Sequence, residues 1–289
     1  QVASGSQQDK FGTPPRAQTP KRLQRRRRCC PAVAKEMSGS RSDFFFMAQI
    51  AEQAERWDDM REYMSRVAKV GQPLEVYERN MLSLAFKESV NARRSALREL
   101  RQYAGATPRV AEYQAKLQEE LTECCAFMLE ILPGLIEQAH AEDVEGKVFY
   151  LKLRGDYWRY VAEYEPTVGG QSSVEQAKQA YQDAMNLATS GLSGNHPGRL
   201  GLALNYSVFQ NEVLKDKQAA IKLAKETLDH LSREAADPND PDGAANADIK
   251  QILEVVLPTV APAASPDCAR SVRVVEDSAT IQANLNLWQ

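Results

Sequence analysis

Long apolar runs are missing from this sequence. The most apolar stretch, ILEVVLPTVAPAA at 252–264, is interrupted by Glu254, Pro258 and Pro262, and it falls short of the roughly 18 to 20 residues that span a bilayer. No membrane segment is expected. RRRRCCPAVAKEM at 25–37 has a basic stretch without an apolar run long enough for a secretory signal. The expectation is therefore a soluble protein of the cytoplasm, with the nucleus as a second location. Histidine is nearly absent, and His140, His196 and His230 have no second ligand at helical spacing. That argues against zinc and against histidine-based catalysis, and no cofactor is expected. Cysteine is present only as Cys29, Cys30, Cys124, Cys125 and Cys268, an odd total with no C-x-x-C spacing, which speaks against a disulfide framework. Cys124 and Cys125 fall inside a helical pattern and read as small core residues. Pro and Gly are sparse in the middle of the chain, where Ala, Leu, Glu, Lys and Gln abound, so most of it should be helical. With 289 residues and 43% hydrophobic content, the chain can bury a sizeable core.

The net charge of −3 conceals an asymmetry. Residues 1–36 hold nine basic and two acidic side chains, a balance of +7, which leaves −10 for the remainder. An acidic body is a poor general binder of nucleic acid, so none is expected as a partner, and any anion site must be a local concentration of positive charge. Residues 1–42, rich in Gln, Ser, Pro and Arg, read as a disordered basic leader. KRLQRRRR at 21–28 has the composition of a nuclear-import or nucleic-acid patch. The plainer reading takes Met37, followed by SGSRSD, as a natural start.

From residue 43 onward helical patterns follow one another. The periodicity predicts helices over 43–57, 59–70, 75–103, 109–139, 143–164, 172–190, 198–214 and 216–234. GQP at 71–73, GATP at 105–108, EPTVGG at 165–170 and GLSGNHPG at 191–198 punctuate them. Helices joined by such short links pack antiparallel against their neighbours. The main domain is thus expected over 43–234. A Pro, Ala and Asp-rich linker or insert should cover 235–275. A terminal helix at 276–289, with Ile281, Leu285 and Trp288 on one face, completes the fold.

Three stretches carry candidate function. In RLGLALNYSVFQNEVL, 199–214, Leu202, Tyr206, Phe209 and Val213 form an apolar stripe that suits a core. Leu204, Asn205, Val208 and Glu212 form a second stripe, half polar, that suits a wet groove better. The alternative is that Asn205 bonds a neighbouring helix and Glu212 reaches solvent. In ERNMLSLAFKESVNARRSAL, Lys87 and Arg94 lie seven apart on one face, roughly 10.5 Å along the axis at 1.5 Å per residue. In FYLKLRGDYWRYVAEY, 149–164, Arg159 and Tyr160 stand side by side, with Lys152 seven residues before Arg159. Asp156 is three before Arg159 and four before Tyr160, within reach to orient either. Cations and a phenol brought together from two helices would suit a phosphate. The plainer alternative is a solvated stripe of i, i+4 pairs.

ERNMLSLAFKESVNARR, KVFYLKLRGDYWRYVAEY and HPGRLGLALNYSVFQNEVL, with AEQAERWDDM near the start and NLNLW at the end, resemble the 14-3-3 proteins. The resemblance runs in register from about Phe44 to Leu231 and resumes at the last few residues. It implies an all-α antiparallel bundle of about nine helices, dimeric, with an amphipathic groove for phosphoserine or phosphothreonine peptides. By matched motif, Lys87, Arg94, Arg159 and Tyr160 would hold the phosphate, with Lys152 and Asp156 in support. Asn205 would bond the peptide backbone, Leu204 and Val208 would line the apolar wall, and Glu212 would sit on the polar side. Asn284, Leu287 and Trp288 would form the opposite lip. Arg56, Tyr113 and Glu120 match dimer-interface positions.

The sequence also departs from the family. The chain between Leu100 and Tyr113 is about seven residues shorter than the family's spacing, and Ala96 and Leu97 replace its usual Ser-Trp pair. DSATIQANLNLW at the end is four residues shorter than the family's D-S-T-L-I-M-Q-L-L-R-D-N-L-T-L-W, about one helical turn, and 235–273 has no counterpart. The expected function is a non-catalytic adaptor for phosphorylated proteins, acting as a homo- or heterodimer. The alternative is a degenerate scaffold or holdase that binds unphosphorylated partners because its last helix is defective. An enzyme is not expected, since no nucleophile with an adjacent base and no metal spacing is present.

Overall fold

The computed structural model describes residues 39–234, with side chains through His230. Eight helices occur among the described residues: α1 Arg41–Gln53, α2 Trp57–Lys69, α3 Val76–Leu100, α4 Pro108–Gln138, α5 Val144–Ala162, α6 Ser173–Gly191, α7 Pro197–Glu212 and α8 Lys217–Glu234. A 3-10 turn, Arg101–Tyr103, extends α3. Between α5 and α6 a two-residue strand, β1 Thr167–Val168, pairs antiparallel with β2 Gln171–Ser172. Gly169 and Gly170 make that turn with φ of 59° and 84°, the left-handed conformation a two-residue hairpin needs at both positions. The fold is all-α, as the helical patterning implies. The ninth helix expected at 276–289 and the linker at 235–275 lie outside the described residues.

Local chemistry accounts for most helix boundaries. Ser40 and Asp43 form a reciprocal capping box at the start of α1, which satisfies amides that the first turn leaves unpaired. The first described helix therefore begins at Arg41, two residues ahead of the helix start expected at 43. Thr107 caps α4 with Pro108 in its first turn, where a missing N–H costs nothing. Asp143 and Ser172 cap α5 and α6. His196 caps α7, its Nδ1 accepting from the amide of Gly198 at 3.1 Å.

One boundary differs clearly from expectation. The helix predicted over 43–57 stops at Gln53, and α2 begins at Trp57 rather than 59. Glu55 takes the left-handed conformation, φ 53°, and the amide of Arg56 bonds back to the carbonyl of Ala51 at 2.8 Å. This closes α1 with a Schellman-type reversal that usually relies on glycine. A glutamate fills that position here, so no breaker residue marked the turn.

Helices pack mainly on their neighbours in the chain, from α1 against α2 through α5 against α6, and α7 against α8; α5 also meets α7. One apolar cluster joins α1 to α5 through Met60, Met64, Leu82, Phe86 and Met128. A second joins α5, α6 and α7 through Val148, Tyr181, Leu202 and Phe209. Cys124 and Cys125 are buried in the first cluster as free thiols. The α5–α6 contact depends on Gly155, because a Cβ there would lie 2.8 Å from the ring of Tyr181. The ring of Tyr181 in turn stacks on Tyr206 of α7, with centroids 5.5 Å apart.

Candidate functional site

Four helices contribute to one polar cluster. Arg94, on α3, is 8% exposed, and the centre of its guanidinium lies 4.5 Å from the centroid of the Tyr160 ring. Arg159, on α5, brings a second guanidinium to the same ring at 4.8 Å. Cations are drawn to the negative face of an aromatic ring, so Tyr160 tethers two like charges beside each other. Arg94 also donates to Glu163, the C-cap residue of α5, through Nη2 at 2.6 Å and Nε at 3.3 Å. Burial and the charge of Arg159 work against the cation on Arg94, but Glu163 and Tyr160 outweigh them and its pKa is raised.

Lys87, seven residues before Arg94 on α3, is half-buried. Burial lowers its pKa to about 8; Lys152 adds to the shift, while Glu88 and Asp156 oppose it. Lys152 donates to Asp156 Oδ2 at 3.0 Å within α5. Asp156, only 4% exposed, is the hub of the cluster. Its Oδ1 accepts from the Tyr181 hydroxyl at 2.5 Å, and its two oxygens share the Asn205 amide nitrogen at 2.9 and 3.1 Å. Burial would raise the pKa of this carboxyl. The charges of Lys152 and Arg159, with bonds from Tyr181 and Lys152, hold it below the ordinary carboxylate range.

The structure thus gathers Arg94, Arg159 and Tyr160 around one ring, and sets Lys152, Asp156 and Asn205 in one buried network. Lys87 lies close enough to that network to feel the charges of Lys152 and Asp156. Asp156 accepts from Lys152, Tyr181 and Asn205, and the charge of Arg159 acts on it as well. One sequence reading needs correction. The second stripe of α7 is drier than expected: Leu204 is fully buried and Asn205 nearly so, while Val208 and Glu212 are partly exposed. The cause is packing, since α5, α6 and α8 all contact α7 and enclose most residues from Pro197 to Phe209.

Two participants escaped the sequence reading. Glu163 stands four residues after Arg159, so its place on the same face was available from spacing. Tyr181 comes from α6, and no local pattern links it to Asp156. Asn284, Leu287 and Trp288 lie outside the described residues. The expected interface residues make other contacts. Arg56 is exposed and pairs with Asp59 at 2.8 Å; Tyr113 is exposed; Glu120 pairs with Arg93 at 3.3 Å.

The sequence profile of the 14-3-3 protein family matches residues 47–257. Over 197 residues the chain is 42% identical to a 14-3-3-like protein of Fucus vesiculosus, an alignment covering 66% of this chain and 78% of that one. It is 38% identical over 226 residues to 14-3-3 protein beta/alpha of Rattus norvegicus, covering 75% and 91%. Identity to 14-3-3-like protein 2 of Caenorhabditis elegans is 39% over 225 residues, covering 75% and 90%.

Proposed function

The chain belongs to the 14-3-3 family, and from that premise we propose that it is a non-catalytic adaptor that binds phosphoserine and phosphothreonine peptides as a dimer. Membership supports an adaptor or regulatory role. The finer reading rests above all on Arg94 and Arg159 converging on Tyr160. Two guanidinium groups that meet one ring in a largely buried place repel each other. A dianion laid against both forks relieves the repulsion and takes the planar, paired contacts for which arginine is suited.

Lys87 adds a point charge and Tyr160 its hydroxyl, each charge-assisted contact contributing on the order of 1.5 to 3 kcal/mol. Beyond the phosphate, Asn205 meets the peptide backbone, with Leu204 and Val208 on the apolar side, Glu212 on the polar side, and Asn284, Leu287 and Trp288 opposite. Arg56, Tyr113 and Glu120 serve the dimer, which gives doubly phosphorylated partners an avidity gain through effective concentration. The cytoplasm, and secondarily the nucleus, is the proposed location. Among the described residues no helix is long and apolar enough to cross a membrane.

Fluorescence polarisation of a labelled R-S-x-pS-x-P peptide and its unphosphorylated twin against the full chain tests this reading. The phosphorylated form alone is expected to bind, at micromolar affinity or better, and Arg94→Glu should weaken it about tenfold or more. Equal binding of both peptides would transfer support to the degenerate scaffold or holdase.

A further inference from the structure

The bonds around Asp156 raise the question of what fixes the amide of Asn205. Asp156 and Asn205 come from different helices, α5 and α7, and a carboxylate alone could meet an amide in several orientations. Tyr181, from a third helix, removes that freedom. Its hydroxyl donates to the same Asp156 Oδ1 that accepts from Asn205, at 2.5 and 2.9 Å. The ring is fully buried and wedged between two surfaces: Gly155 of α5 on one side, where even a Cβ would clash, and the rings of Tyr206 and Phe209 of α7 on the other, with centroids 5.5 and 5.2 Å away. The phenol therefore has one rotational position, and that position sets the carboxylate.

We infer that Tyr181 is a positioning residue for ligand binding: through Asp156 it holds the Asn205 side-chain amide in one plane, ready for the backbone of a bound peptide. The inference rests on the phosphopeptide reading given above and assigns a part to α6, which supplies none of the proposed ligand contacts. Because an amide is planar, committing its nitrogen to Asp156 turns its carbonyl oxygen to the opposite side. The preset acceptor then meets a peptide N–H without first being ordered, and preorganisation of this kind raises affinity. The charge of Asp156 also reaches Arg159, but Arg94 and Arg159 meet the Tyr160 ring directly. Tyr181 should therefore matter more for the backbone of the peptide than for the phosphate group itself.

Tyr181→Phe removes the hydroxyl and keeps the stacked ring. Against the full chain, this variant should bind the R-S-x-pS-x-P peptide about five- to thirtyfold more weakly, while free phosphoserine binds within about twofold of wild type. A loss that reduces both probes equally, or neither, overturns the inference. Gly155→Ala, which keeps the hydroxyl but pushes the ring that carries it away from Asp156, should reproduce the selective loss. A ligand-free readout keeps this test separate from that of the function itself. The Asn205 side-chain amide protons, followed by nuclear magnetic resonance, should exchange with solvent about tenfold faster in Tyr181→Phe, the factor set by one lost hydrogen bond. Unchanged exchange would overturn the positioning role whether or not wild type binds phosphopeptide. Accelerated exchange in a wild-type background that ignores phosphate would support it and reject the phosphopeptide reading alone.

Discussion

Arg94 meets Glu163 side-on, its Nη2 and Nε spanning the two carboxylate oxygens at 2.6 and 3.3 Å. An internal anion thus already occupies one edge of a guanidinium assigned to phosphate. The pair steadies Arg94 and also offsets part of the positive charge offered to a ligand.

Glu163→Gln separates those two effects, since the amide oxygen still accepts a bond while the charge is gone. Phosphopeptide affinity is expected to rise about three- to tenfold, as a like charge a few ångströms from the phosphate is removed. Stability should fall by about 1 to 3 kcal/mol, because a buried arginine loses its charged partner. Polarisation and urea titration read the two quantities independently, and weaker phosphopeptide binding would mean that orientation outweighs charge.

Lys87 predicts a basic limit to binding. Its pKa is lowered to about 8, so the ammonium proposed to meet the phosphate is progressively lost as the pH passes through that value. The phosphate is already largely a dianion at pH 7, so affinity for the phosphopeptide should fall about twofold between pH 7 and 8, as half of the ammonium is lost, and more steeply above. In Lys87→Arg, whose charge persists throughout this range, the decline should vanish. A titration across pH 7 to 9.5 that shows identical profiles for both proteins would exclude Lys87 from the site.

Asp156 links the cluster to acid stability. Its folded-state pKa is depressed, so its contribution is complete above the unfolded value of about 4 and is lost as pH falls from there through the folded value. Asp156→Asn leaves the buried Lys152 without a counter-charge, at a cost of about 3 to 5 kcal/mol at pH 7. The gap between variant and wild type should narrow below about pH 4, as the wild-type carboxyl takes up its own proton. Urea midpoints at pH 7 and pH 3 provide the check; a gap of constant size would disprove the linkage.

Gly155→Ala tests the close approach of α5 and α6. Alanine is the better helix former by roughly 0.5 to 1 kcal/mol. Its methyl group, however, would sit 2.8 Å from the Tyr181 ring, and overpacking of this kind costs about 1 to 3 kcal/mol. A lowered melting temperature is expected, whereas a raised one would show that the ring has room to yield.

Much of this molecule was legible from local pattern. Short punctuated links and 3.6-residue periodicity located all eight described helices, because caps such as Ser40, Thr107 and Ser172 act within three residues of the helix they start. The turn at Glu55 was not legible, since a glutamate there adopts a conformation that glycine normally signals. At the candidate site, the seven-residue spacing places Lys87 and Arg94 on one face of α3, while Arg159 and Tyr160 stand out through the motif that resembles the family. The bond from Tyr181 to Asp156 and the burial of Leu204 depend on how α5, α6 and α7 pack together, and that information is absent from any one stretch of sequence.

The preference of each helix for its chain neighbours also bears on how the protein is made. Contacts between segments close in sequence close small loops and form quickly, so α1 and α2 can pair while later helices are still on the ribosome. The Asp156 network cannot: Asn205 is 49 positions away, and the carboxylate emerges long before its amide partner. During synthesis α5 exists for a time with a carboxylate and an ammonium still in water, and the site becomes dry only when α7 arrives. The Asp156 network is thus completed late, and a chain released before α7 would have packed helices but lack the amide that closes the network.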